Sequence, residues 1–428
     1  PSPTPSPTPT PVPERDPIEE EIEFLPGDFT YGDREGYYVC TGLSDSGFEK
    51  FEKYLSKDTV TIIFPTVSDT GDEVEGFCSD STYDLGTLEK QTEPYMRLVF
   101  PDTYLVYYGE TGPAPERVLS VELGEGLEFI AQKSFYGYTG LTSIVLPESI
   151  REYGNQVFDG CTNLVVDTLY TNDVKMGSKV FNGVTINSVV LSESFEPMEP
   201  GAGTWSTGTF AGAVIKDIAY EERLEIVPND AFRDCTSLTK VTVPEGVVTI
   251  GSRAFSDCSQ LVTLVLPETV EKIEKHAFKD CGYLRKFTVP DTVTEFGTEA
   301  FKGCGRLEIE TFDTAGKTVW GEAFGGVTIE SIVIRESFNA ISPDAAWVNA
   351  GAFKGAILEK ISFEEGIKKI PDDTFRDCTS ITEITIPDTV TVIGSDVRGG
   401  PPLHKGPSVL KLLLGILCLF NGTLNDHT

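Results

Sequence analysis

Leu238-Thr-Lys-Val241-Thr-Val243-Pro244-Glu-Gly-Val247-Val-Thr-Ile250-Gly251-Ser-Arg-Ala254-Phe255-Ser-Asp-Cys258 recurs 23 residues later, and again after another 23. Leu238 is followed by Leu261, Leu284 and Leu307, Ala254 by Ala277 and Ala300, and Cys235 by Cys258, Cys281 and Cys304. A fixed period of this length signals a stacked repeat, because one unit cannot bury its apolar face alone.

A phenylalanine marks each unit: Phe135, Phe158, Phe181, Phe210, Phe232, Phe255, Phe278, Phe301, Phe324, Phe353 and Phe375. The spacings are 23, 23, 29, 22, 23, 23, 23, 23, 29 and 22, so the irregular pair occurs twice. Phe158 and Phe301, Cys161 and Cys304, Phe210 and Phe353, Cys235 and Cys378, and Ile250 and Ile393 are each 143 residues apart. A block of six units has been duplicated.

Within a unit, Leu238, Val241 and Val243 alternate with polar Lys240 and Thr242, the period-two pattern of a half-buried strand. Pro244 ends it, since proline cannot donate to the next ladder bond. Val247, Ile250, Ala254 and Phe255 turn the chain around a second apolar side, and Gly251 is expected to supply permissive backbone at the bend. Stacking coils about 4.8 Å apart places Phe on Phe and Leu on Leu.

The unit resembles the Treponema-type leucine-rich repeat of BspA-like bacterial surface proteins, which reads roughly Leu-x-x-Ile-x-Ile-Pro, then Val-x-x-Ile-Gly-x-x-Ala-Phe, then Cys. The match covers about residues 118 to 395. The resemblance implies a leucine-rich-repeat solenoid, a curved parallel β-sheet of about eleven to twelve coils. It also implies adhesion or recognition at a bacterial cell surface.

Residues 1–16 open with an uncharged Pro/Thr run, Pro1 to Pro13, which favours extended polyproline II and reads as a linker. A secretion signal or anchor is expected ahead of it. Residues 17–117 contain a helix-like Phe48-Glu-Lys-Phe51-Glu-Lys-Tyr54-Leu55 and a strand-like Val60-Thr-Ile-Ile-Phe64, and are expected to form a small mixed α/β N-terminal cap covering the first coil. Residues 118–395 form the solenoid. At position 398 the 143-residue correspondence calls for phenylalanine, yet Arg398 stands there, so residues 396–428 read as an atypical tail. The apolar run from Val409 to Phe420 falls short of the roughly 20 residues of a membrane span.

The net charge of −33 and pI near 4.4 repel phosphate backbones, which argues against a nucleic-acid partner. Cys161, Cys235, Cys258, Cys281, Cys304 and Cys378 share one repeat position, where parallel side chains suit buried thiols better than bridges. Cys40 and Cys78 are the better disulfide candidates. No close Cys-x-x-Cys pair suggests zinc, and the three histidines, His276, His404 and His427, form no metalloprotease pair. His276 is expected at a solvated position. Ala315-Gly316-Lys317-Thr318 ends like a phosphate-binding loop but lacks the glycine five positions before Gly316. Asp69-Thr-Gly-Asp72-Glu73 lacks the glycine and final glutamate of an EF-hand. No metal, cofactor or catalytic residue is expected.

Two surfaces are candidates for binding. The enlarged units carry Trp205 and Trp347 in glycine- or alanine-rich loops, where tryptophan is a favoured anchor; each ring could instead fold back onto the coils. The sheet face presents Lys240, Thr242, Lys286, Thr288 and Lys360 at outward positions. The expectation is a monomeric, extracellular or surface-located protein. It binds a host extracellular or matrix protein, a glycan or another cell, and no transmembrane span is expected within the chain. A structural spacer or array component is the alternative. Less favoured is a hydrolase formed by residues 17–117 with a repeat targeting arm, since that segment lacks histidine.

Overall fold

The computed structural model describes residues 19–22, 25–34, 37–52, 59–64, 70, 76–79, 95–100, 105–108, 116–198, 207–285, 287–341, 351–381, 384–394 and 404–405. They fall into two compact units, Pro1–Glu128 with Tyr138–Ser149, and Phe129–Gly137 with Ile150–Thr428. Among the described strand pairs all are parallel except one, Phe29–Arg34 with Tyr37–Leu43.

In the first unit Glu19–Ile22, Thr59–Ile63, Tyr95–Phe100, Val118–Leu123 and Ser143–Val145 pair in that order. Ile62, Leu98 and Val121 occupy one buried row although 36 and then 23 residues separate them. The repeat period therefore reaches back into residues 17–117, where a lengthened coil hides it. The expected mixed α/β cap is corrected accordingly: among the described residues its helical part is the eight-residue Asp45–Glu52 and a 3-10 turn, Pro26–Asp28. Lys50 Nζ, 2.8 Å from Asp28 Oδ2, ties the two together. Phe64 stacks on Phe100 with centroids 4.5 Å apart, which shows the same column logic as the repeats. Cys40 lies across from Phe77, so Cys78 is one residue out of register with it.

In the second unit each coil contributes to two ladders. One runs through two-residue strands such as Ile226–Val227, Thr249–Ile250, Lys272–Ile273 and Glu295–Phe296. The other carries Lys240–Thr242 on Thr263–Val265, and longer strands at the enlarged units: Val165–Tyr170 on Thr185–Leu191, and Glu308–Asp313, Thr328–Ile334 and Ile357–Phe363 in sequence. In the tail, His404–Lys405 pairs with Thr385–Ile386.

Between the ladders the marker phenylalanines, fully buried from Phe135 to Phe353, stack with successive centroids 5.1–6.0 Å apart. Each offset pair adds about 0.5–1.5 kcal/mol beyond its area burial. The repeated cysteine crosses the coil boundary. Cys258, Cys281 and Cys304 Sγ donate to the carbonyls of Phe232, Phe255 and Phe278 at 3.2, 3.1 and 3.1 Å. Cys235, Cys258, Cys281, Cys304 and Cys378 are buried thiols outside any disulfide. Burial pushes Cys235 up to about 11 and Cys378 to about 12, so neither is nucleophilic at neutral pH.

Gly251 is glycine for a reason other than the expected one. Its φ lies outside the left-handed region, but a Cβ there would sit 2.5 Å from Val227 O and 2.9 Å from Asn229 N. Its N–H donates to Val227 O at 2.9 Å, and this bond draws the preceding coil into contact. Gly154, Gly297 and Gly394 repeat the arrangement. The left-handed backbone falls instead on Arg253, His276 and Glu299, with φ of 55°, 59° and 55°.

Candidate functional site: the solenoid surface

On the sheet face Lys240, Thr242, Thr288 and Lys360 are exposed, with Val241 buried between the first two. Lys240 pairs across to Thr263, and Lys360 to Ser331. The structure thus brings Lys240 and Thr242 together on one strand and places Lys360 on a later strand of the same sheet, with Thr288 exposed on a coil between them. Lys286, Trp205, Trp347, the acidic residues Asp69, Asp72 and Glu73, and the apolar run from Val409 to Phe420 lie outside the described residues.

A polar row on the same face escaped the sequence reading. Asn187 Nδ2 donates to Asp167 Oδ1 at 2.8 Å, and Lys216 Nζ donates to Asn187 Oδ1 at 2.8 Å. The positions 143 residues on are Glu310, Glu330 and Glu359, all exposed and without an ion-pair partner among the described residues. One copy of the block satisfies its own row, while the other presents like charges on neighbouring strands, an arrangement that costs stability. The 143-residue correspondence was the signal that could have found both rows.

Another edge of the coils carries a continuous ion-pair chain. Glu299 meets Lys279 at 2.6 Å and Lys302 at 2.7 Å; Lys302 continues to Glu322, which meets Lys354 at 2.9 Å. His276 Nε2 lies 3.5 Å from Glu299, so the expectation of a solvated histidine is corrected to a half-buried one facing the next coil. Burial, and then Lys279, hold its pKa below 6.5. Burial works against ionising Glu299 and Glu322, but hydrogen bonds from the lysines outweigh it and lower both carboxyls below 4.5.

Carboxyls lowered in the folded state contribute stability that is complete above pH 4.5 and lost as pH falls through their folded values. His276, lowered from 6.5, works in the same direction, since stability falls as pH drops through 6.5 toward its folded value. A Glu299→Gln, Glu322→Gln double variant is therefore expected to denature at lower urea than the parent at pH 7, with the gap closing at pH 3. A gap that stays constant between the two pH values would contradict this account.

Lys317 is buried, and its ammonium donates to Val293 O at 2.7 Å and Asp291 O at 3.2 Å. Burial lowers its pKa. The lysine of the Ala315–Thr318 run thus closes a coil. Among the described residues no group of three or more His, Cys, Asp or Glu could hold a metal ion, and no helix is long and apolar enough to cross a membrane.

The profile of the BspA type Leucine rich repeat region matches residues 116–202, 225–347 and 346–397, in six copies. The chain belongs to the BspA-type leucine-rich repeat family. This BspA-type protein is similar to a leucine-rich repeat protein from Bacteroides ovatus at 17% identity, over 90% of each chain and with a TM-score of 0.50. It is also similar to a leucine-rich repeat protein from Eubacterium ventriosum (16% identity, 69% of this chain and 86% of that one, TM-score 0.40). A leucine rich cell surface protein from Faecalibacterium prausnitzii is 19% identical over 89% of this chain and 87% of that one, with a TM-score of 0.30. At such identities the first likeness speaks to the fold alone. No protein of curated function matches the BspA-type chain.

Proposed function

We propose that this BspA-type protein binds a partner at a bacterial cell surface or after secretion, recognising a host protein or a glycan through its repeat surface. The observation that supports this is the sheet face. Exposed side chains such as Lys240, Thr242, Glu310, Glu330, Glu359 and Lys360 stand on parallel strands that also carry buried residues such as Val241, Ile309, Ile329 and Leu358. A rigid ladder fixes the spacing of such side chains and suits them to an extended partner. Trp205 and Trp347, in the enlarged units of the sequence, are proposed as anchors. The acidic composition and the Pro/Thr spacer suit an exposed, soluble binding module.

The test is binding of the full chain to an array of matrix proteins and glycans, beside a Trp205→Ala, Trp347→Ala variant checked for folding by circular dichroism. The expected result is saturable binding that the variant loses roughly tenfold or more, as for a hot-spot anchor. Binding unchanged in the variant removes the tryptophans from the reading and leaves the sheet face. No binding at all, with regular self-association by light scattering, would replace it with an array component.

A further inference from the structure

The burial pattern of the sheet face changes along the stack. After Leu238 and Leu261 the next buried residue comes three positions on, at Val241 and Leu264, and Phe287 follows Leu284 in the same way. After Leu307 it comes two positions on, at Ile309. Strands Lys240–Thr242 and Thr263–Val265 belong to the same sheet as Glu308–Asp313, and residue 286 of the intervening coil lies outside the described residues. Backbone bonds run through this coil: Arg285 N donates to Val262 O at 3.3 Å and Glu308 N to Arg285 O at 2.8 Å. Beside the second bond lies an open cleft of about 480 Å³ lined by Arg285, Gly305, Arg306 and Glu308. A Cβ placed on Gly305 would meet nothing within 4 Å, so this wall of the cleft is bare.

The charges in the cleft are unusual for this molecule. Arg253, Arg335 and Arg376 each grip an aspartate, Asp230, Asp313 and Asp373 respectively. Arg285 and Arg306 have no carboxylate partner among the described residues, although the chain holds 67 acidic residues against 34 basic ones and Glu308 lines the same cleft. Arg306 instead lies over the half-exposed Tyr283 ring, its Cζ 4.0 Å from the centroid, which holds the guanidinium plane in place. The positions 143 residues earlier are Gly140, Thr142, Asn163 and Val165 for Tyr283, Arg285, Arg306 and Glu308. The cations and the ring belong to the second copy alone.

We propose that this cleft binds an acidic sugar, with Arg285 and Arg306 donating to its carboxylate and Glu308 accepting from its hydroxyls. Guanidinium forks match a carboxylate in a paired geometry. An ionised Glu308 can only accept hydrogen bonds, so a bare anion would be repelled by it, whereas a ligand that adds hydroxyl donors satisfies it. The cleft volume lies in the range of about 300–1,000 Å³ typical of small-ligand sites, and a mono- or disaccharide fits it. The net charge of −33 disfavours a polyanion and leaves a singly charged ligand as the better match. The inference rests on the binding reading above and names one ligand class for one place on that surface.

The experiment is calorimetric titration of the full chain with sodium glucuronate, glucose, sialyllactose, lactose and sodium sulfate. The comparison protein is an Arg285→Gln, Arg306→Gln variant whose folding is verified by circular dichroism. The expected result is saturable binding of glucuronate or sialyllactose, no binding of glucose or lactose, and a loss of roughly tenfold or more in the variant, in line with removal of charge-assisted hydrogen bonds. Preference for sialyllactose assigns the site to the acidic end of a glycan, and equal or better binding of glucuronate assigns it to a free sugar acid. Sulfate binding as tightly as either acid, no saturable binding of either, or equal affinity in the variant overturns the proposal. If acidic sugars fail while the matrix array still shows binding, the cleft assignment falls and the broader binding function stands.

Discussion

Phe278→Ala is expected to lower stability by about 3–5 kcal/mol, the range for removing a fully buried phenylalanine. The ring is completely buried and stacks on Phe255 at 5.4 Å and on Phe301 at 5.1 Å. Its loss removes both stacks and leaves a void between two coils that share a ladder and a thiol-to-carbonyl bond. Coils in a stack contact mainly their neighbours, so the damage concentrates at that boundary and is not spread through a common core. The expected signature is therefore twofold: a lower denaturation midpoint, and a single transition resolving into two. Hydrogen exchange should report faster opening of amides in the coils around residue 278 than of those several coils away. A loss below about 1 kcal/mol with one unchanged transition would mean that the column is not what couples the coils.

The second large effect is expected from the smallest substitution. Gly297→Ala adds one methyl group, yet the new Cβ would collide with Lys275 N and stand 2.5 Å from Glu274 C. Those are backbone atoms of the preceding coil, held in place by the bond from Gly297 N to Ile273 O at 2.8 Å, so no side chain can swing aside. The cost is expected at about 3 kcal/mol, the upper part of the overpacking range. Gly282→Ala is the control, since the nearest atom to its Cβ would be Gly303 O at 3.9 Å. That change should stay within about 0.5 kcal/mol. Neither glycine has a left-handed φ, so the pair separates close approach from backbone freedom. Urea midpoints for the two variants decide it, and equal midpoints would refute the steric account.

The repeat was legible because period and burial coincide: residues recurring every 23 positions, such as Phe255 and Cys258, are the buried ones. Glycine was read correctly as a constraint but with the wrong cause, since sequence shows a recurring absence of Cβ without showing what occupies its place. The N-terminal ladder stayed hidden because 36 residues separate Ile62 from Leu98, and a search for a 23-residue period passes over it. His276 was misplaced because a left-handed residue turns its side chain in a direction that a strand pattern does not encode. The candidate site was less legible still. A repeat reading fixes on what recurs, whereas Tyr283, Arg285 and Arg306 stand where neighbouring coils carry Gln260, Val262 and Tyr283, positions that vary freely. Lys240 and Lys360 are equivalent by pattern, and only strand pairing shows that Lys240 stands across from Thr263 and Lys360 across from Ser331.

The thiol-to-carbonyl bonds have a consequence for how such a chain changes its length. From Cys258 to Cys304 each coil offers its neighbour the same donor and the same acceptor, so within that run cutting out or pasting in a whole coil rejoins like to like at the seam. Growth by copying then alters reach without altering chemistry, and a second block of coils becomes spare material. Once the 143-residue duplicate existed, its interior was bound to keep phenylalanine on phenylalanine, but its outer positions were released from that duty. Glu310 in the place of Asp167, and Arg306 in the place of Asn163, are drift that the stack tolerates and selection can then keep.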